Sequence, residues 1–183
     1  MNQILPDRSR EATALILIDA QVNMFDPSFP VSSAELLLAR LVTLVARSRA
    51  AHVPIVFVRN CGRTGDPDER ETPGWNLHPS FQPAGDDLVL DKTTGDTFAS
   101  TSLDDELKIR GLTRLVIAGL QSEYCIRETV LGALARGFEV TLVTDGHSTY
   151  DGGGHSALQK SDAVNAEFKG RVKLTSARDV HFP

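Results

Sequence analysis

Cysteine is scarce in this chain of 183 residues. The two present, Cys61 and Cys125, do not make a disulfide framework in a protein this long. Positive charge is short as well: 19 Lys and Arg stand against 24 Asp and Glu, for a formal net charge of -5. With no basic stripe to release phosphate counterions, no nucleic-acid or acidic-membrane partner is expected. Long apolar runs are missing. The stretch from Ala14 to Ile18 falls far below the roughly 20 residues a spanning helix needs. The amino terminus shows no basic-then-apolar pattern, and the expected compartment is the reducing cytoplasm. Neither a Walker loop nor a dinucleotide fingerprint occurs, because Gly152-Gly153-Gly154 follows no strand closely enough. Asp145-Gly146-His147-Ser148 holds an Asp, a His and a Ser, but near-consecutive residues cannot all point into one relay, and no Gly-x-Ser-x-Gly elbow exists.

What is there is an ordinary globular composition, 41% hydrophobic and 23% charged, enough for one sizeable core. One domain spanning 1–183 is expected, with 1–11 a loosely held polar arm. Short apolar runs at 13–18, 55–58, 88–90, 115–118, 139–143 and 172–174 read as strands. Helical spacing follows at 33–51, where Ser32 or Ser33 is a candidate cap, and at 102–110, 122–136 and 155–169. Alternation of this kind argues for an α/β fold with a parallel sheet covered on both faces. In such sheets ligands bind beyond the carboxyl ends of the strands, where strand order reverses. The polar stretch from Asn60 to Asp86, which carries Trp75, is long enough to be functional.

Three reactive side chains fall at strand ends: Asp19 after the first, Lys92 after the third and Cys125 after the fourth. Gly119 ends the fourth strand and Ser122 is a good N-cap, which puts Cys125 in the first turn of a helix. There the unpaired N–H groups and the dipole favour a thiolate. Taken singly, each has a plainer reading: Cys125 as a small core residue, Asp19 as a turn cap, Lys92 as a solvated lysine. Together they have the parts of an acyl-transfer site. Cys125 is the nucleophile, Asp19 the proton acceptor and donor, and Lys92 a charge favouring both anions. Backbone N–H groups in the turn from Gly119 to Cys125 would hold the oxyanion.

Leu17-Ile18-Asp19-Ala20-Gln21, Lys92 with Asp96 and Phe98, and Gly119-Leu120-Gln121-Ser122-Glu123-Tyr124-Cys125-Ile126 resemble, in order, three motifs of the isochorismatase-like cysteine hydrolases. That family includes nicotinamidases, carbamoylsarcosine amidases, biuret and ureidoacrylate hydrolases and streptothricin hydrolases. The resemblance runs from about Thr13 to Leu174. It implies a three-layer α/β/α, Rossmann-like fold with a six-stranded parallel sheet in the order 3-2-1-4-5-6, and a catalytic triad of Asp19, Lys92 and Cys125. It also implies a cis peptide between Leu120 and Gln121 that aims the Gln121 and Cys125 N–H groups at a substrate carbonyl. The activity implied is hydrolysis of a small non-peptide C–N bond (amide, ureido or lactam) through a thioester. A non-catalytic or redox-responsive member of the fold, or an isochorismate-type vinyl-ether hydrolase, is the other reading.

The metal-binding Asp-x-His of the nicotinamidases has no counterpart, since the segment after the second strand reads Arg59-Asn60-Cys61-Gly62. Asp151 and His155 are four apart and could bind a metal, but a capped helix start is the better explanation, and neither metal nor cofactor is expected. Candidate pocket residues are Gln21, Phe25, Trp75 and Tyr150, and Cys61 is a pocket or core residue. The expected partner is a small-molecule substrate. Trp75 and Phe81 on the long loop suggest a homo-oligomer.

Overall fold

The strand Thr13–Ile18 (β1) is buried along its whole length, as a continuous apolar run in the middle of a parallel sheet must be. The computed structural model describes residues 12–183; the arm expected at 1–11 lies outside them. β1 pairs with Ile55–Asn60 (β2) on one side and Arg114–Leu120 (β4) on the other, so that Leu17 faces Phe57 and Ala118. Leu88–Lys92 (β3), Glu139–Ser148 (β5) and Lys173–Thr175 (β6) complete an all-parallel sheet in the order β3-β2-β1-β4-β5-β6. This is the three-layer order expected. The chain steps outward through β2 and β3, then returns to lay β4 against β1. The crevice beyond the carboxyl ends of β1 and β4 is therefore the reversal point.

Period-two alternation gives each face its core. Leu15, Leu17, Ile55 and Phe57 point to one side, against Leu37, Leu41, Leu44 and Val45 of the helix Ala34–Ala50 (α1). Ile16, Ile18, Val56 and Val58 point to the other. They meet residues from Leu103–Ile109 (α3), Arg127–Ala135 (α4) and Ala157–Phe168 (α5). A four-residue helix, Thr97–Ser100 (α2), was not foreseen; Asp96 caps it by accepting from the Phe98 N–H at 2.9 Å. Among the described residues no helix is long and apolar enough to cross a membrane.

Several boundaries differ from the sequence expectation for local reasons. Ser33 precedes α1 in the left-handed region (φ 55) and makes no side-chain cap bond. Gly119 lies inside β4 rather than ending it. Its φ is 128, and a Cβ there would stand 2.0 Å from the Ile18 carbonyl oxygen, so close packing of β4 on β1 needs glycine. β5 continues past Val143 to Ser148, with a register shift between Ile117 and Gly119. That shift carries His147 alongside Gly119. Lys92 is the last residue of β3, not one beyond it.

Candidate active site

Each chemical group at the reversal point is delivered by a different strand. Asp19 follows β1 directly, with φ 50; Asn60 ends β2 and Lys92 ends β3. Cys125 sits beyond β4 in a π turn, Ser122–Ile126, that leads into α4. Lys92 is fully buried and Asp19 is 1% exposed. The Lys92 Nζ stands 2.9 Å from Asp19 Oδ2, 3.1 Å from Cys125 Sγ and 3.0 Å from Asn60 Oδ1. Of the three N–H donors of the ammonium, two go to Asn60 Oδ1 and Cys125 Sγ, and Asp19 stands in ion-pair contact. The Asn60 Nδ2 then donates to Asp68 Oδ2 at 2.6 Å. Asn60 and Asp68 were not foreseen. Asn60 had one signal, its place near the end of a central strand, whereas Asp68 lies within a loop and had none.

Burial is the largest influence on all three groups. It pushes the Asp19 carboxyl above its ordinary value, with the Lys92 charge pulling the other way. On Lys92 burial works against the ammonium, but the neighbouring Asp19 and Cys125 outweigh it and the net direction is upward. The Cys125 thiol is pushed up to about 12, by burial and then by the Asp19 charge, against the pull of Lys92. The direction is opposite to the one expected for a cysteine in the first turn of a helix. The π turn places the sulfur in a mostly buried site next to a carboxylate, and desolvation there exceeds what one ammonium returns.

Ser122 is not an N-cap either. Gln121 holds the cap position of the π turn; the Ser122 hydroxyl is buried, 2.8 Å from His147 Nδ1 and 2.8 Å from Ser161 Oγ. His147 Nε2 lies 3.1 Å from Asn165 Oδ1, and Asn165 Nδ2 donates to the Thr144 carbonyl at 3.1 Å. A closed polar network thus fastens the turn that carries Cys125 to β5 and α5. Burial holds the His147 pKa below its ordinary value. The peptide between Leu120 and Gln121 is cis.

Above the sulfur opens a cavity of about 820 Å³ with Asp19, Asn60, Gln121 and Cys125 among its lining residues. Of the four expected pocket residues, Tyr150 lines it. Gln21 is fully buried; its side-chain amide clamps Asn60 N (2.8 Å), Asn60 O (3.0 Å) and Trp75 O (2.8 Å), tying β1 to the β2 loop. Phe25 packs edge-on against His78 at 5.2 Å, in the core on the α1 side. Trp75 lies under the Arg59 guanidinium, 3.7 Å from its ring centroid, and donates to Cys61 Sγ at 3.2 Å. These three support the wall from behind. Phe81 is 2% exposed and packs near Phe57, so the apolar groups that suggested self-association are engaged within the chain. Asp151 Oδ1 accepts the Ala157 N–H at 2.7 Å, and Ser156 with Gln159 forms a capping box on α5. Among the described residues no cluster of three or more His, Cys, Asp or Glu could hold a metal ion.

Residues 13–168 match the family model of the Isochorismatase domain. The chain belongs to the isochorismatase family. Among characterised relatives it is 38% identical to a streptothricin hydrolase of Streptomyces noursei, over 78% of this chain and 56% of that protein. It is 26% identical to the ureidoacrylate amidohydrolase RutB of Variovorax paradoxus, covering 90% of this chain and 81% of the relative. A crystal structure of an isochorismatase family protein superposes with a TM-score of 0.84 at 27% identity, covering 91% of this chain and 99% of that one. This isochorismatase family member spans little more than half the length of the streptothricin hydrolases it matches, 56% and 57% in two cases.

Proposed function

We propose that this family member is a cysteine-dependent hydrolase of a small non-peptide C–N bond, an amide, ureido or lactam bond, working through a thioester. One observation carries the reading: a single buried ammonium within 3.1 Å of both a carboxylate and a thiol at the floor of an open cavity. The relatives' names, streptothricin hydrolase and ureidoacrylate amidohydrolase, support the bond class.

The electrostatics favour one route to the thiolate. Losing the thiol proton to solvent would leave a net negative charge in a desolvated site. Passing it to Asp19 keeps the trio neutral overall, since the carboxylate becomes an acid as the thiol becomes a thiolate. Lys92 touches both partners before and after the transfer, and a carboxyl whose proton affinity is raised by burial is the better acceptor. Sγ then attacks the carbonyl carbon, and the developing oxyanion takes the Gln121 and Cys125 N–H groups. Asp19 returns its proton to the leaving nitrogen, the C–N bond breaks, and a thioester remains on Cys125. Water enters and gives its proton to the Asp19 carboxylate. The new hydroxyl oxygen displaces sulfur, which recovers a proton from Asp19 as the acid departs.

Ammonia or amine release across small amides, ureas and lactams, run beside Cys125→Ala, tests the proposal. Turnover by the native protein with none by the variant is expected. Equal turnover by the variant would eliminate the thioester route, and inertness toward every C–N compound would eliminate the reaction class.

A further inference from the structure

The charge on the cavity wall is one-sided. Asp26, Asp66 and Asp68 line it together with Asp19, and no Lys, Arg or His is among its lining residues. Asp19 is neutralised by Lys92; for the other three, no cation stands within ion-pair distance among the described residues. Asp26 accepts from the Ser28 N–H and hydroxyl, and Asp66 from the Arg63 N–H. Asp68 is only 8% exposed, yet its one side-chain partner is the neutral Asn60 amide. A carboxylate that buried normally meets a positive charge.

Cations are nearby but turned elsewhere. Arg59 and Arg70 converge on Asp91, at 2.8 and 3.0 Å, and both lie over the outer-wall Trp75. Lys160 is held by Glu123 at 3.1 Å and by the Tyr150 carbonyl at 2.9 Å. On the same cavity, Phe29 stacks on Tyr150, ring centroids 4.9 Å apart. Both line the cavity, and Phe29 is 70% exposed. Burial and then the Asp26 and Asp68 charges push the Tyr150 phenol upward, so acids and aromatic pair share one field. Carboxylates and aromatic rings lining one cavity are the chemistry that receives an organic cation. A metal ion fits poorly, because among the described residues no three such groups stand close enough to hold one.

We propose that the substrate carries an organic cation, an ammonium, guanidinium or amidinium group, seated between Asp26, Asp66 and Asp68 and the Phe29–Tyr150 pair while its C–N bond lies over Cys125. The word substrate rests on the hydrolase reading above; the cavity's preference for cations does not, and it is tested first without turnover. Charge-matched methanethiosulfonates, one bearing trimethylammonium and one sulfonate, are reacted with the native chain. Labelling at Cys125 is followed by peptide mass spectrometry and normalised to a small neutral thiol. The cationic reagent should win by about tenfold. The advantage should shrink several-fold in Asp26→Asn/Asp66→Asn and at high salt. A ratio at or below one, or a ratio the double substitution leaves unchanged, overturns the proposal. Isosteric amide pairs differing only in an ammonium for a methyl group then carry the test to turnover. The cationic member should show the higher kcat/KM, narrowing in the double variant; equal kcat/KM values would sink the substrate assignment while leaving the hydrolase reading intact. Should no amide react at all, the hydrolase reading fails and the labelling ratio alone decides the cavity's selectivity.

Discussion

Two sets of carboxylates meet the same cavity on opposite terms. At the floor, Asp19 is 1% exposed and is matched by a fully buried lysine at 2.9 Å. At the rim, Asp26 and Asp66 are exposed and are held by Ser28 and Arg63 backbone or hydroxyl donors alone. A buried charge without a partner costs several kcal/mol, so the floor must be neutral as a unit. A rim charge is solvated by water and can stand unpaired until a ligand arrives. The lesson is that the floor pairs its charges while the rim leaves its own open to solvent, and substitutions should separate the two.

The largest effect is expected from Cys125→Ala, which should lower kcat by about 10⁴-fold or more in a steady-state assay, as loss of a covalent nucleophile does. Lys92→Met breaks the floor differently. It strands a buried carboxylate, and denaturant unfolding at neutral pH should report a loss of about 3–5 kcal/mol. Lys92→Met with Asp19→Leu should recover much of that loss, because both charges are then gone; no recovery would mean that the pair is not a neutral unit.

The pH dependence sharpens the comparison. Lys92 and Cys125 both hold their protons more tightly when folded. Their contribution to stability is therefore complete below the unfolded values and is lost as pH rises through the folded ones. For Cys125 the window runs from 9.0 up to about 12. Cys125→Ser should be relatively less destabilised in that range, and iodoacetamide modification of Cys125 should rise across about pH 7 to 10 without a plateau. A plateau near neutrality would reverse the proton assignment. The smallest effect is expected away from both regions. Ser122→Ala leaves the buried His147 Nδ1 without its hydroxyl, costing about 1–3 kcal/mol by thermal or chemical unfolding, with kcat reduced more than KM is raised because the displaced turn carries the sulfur.

Much of this molecule was legible in its residues. Continuous apolar runs alternating with helical spacing specify an α/β sheet, and residues at three strand ends mark the crevice. The misreadings share one cause. Ser122 and Ser33 look like caps, and Gln21, Phe25 and Trp75 look like pocket residues, because each was judged by type and place in the chain. Asp68 could not be found at all, as nothing in a loop sequence says which acid will turn inward. The extension of β5 that brings His147 to Ser122 depends on a register shift against β4, a property of the pair and not of either strand.

Residue order alone decided which strands are buried on both faces and which groups could carry chemistry, since burial follows hydrophobic pattern and reactivity follows side-chain type. Only the folded chain decided which way the protons lean. The strength of a charge depends on how much water remains around it, and three strands and a π turn had to close over Lys92 before that quantity existed.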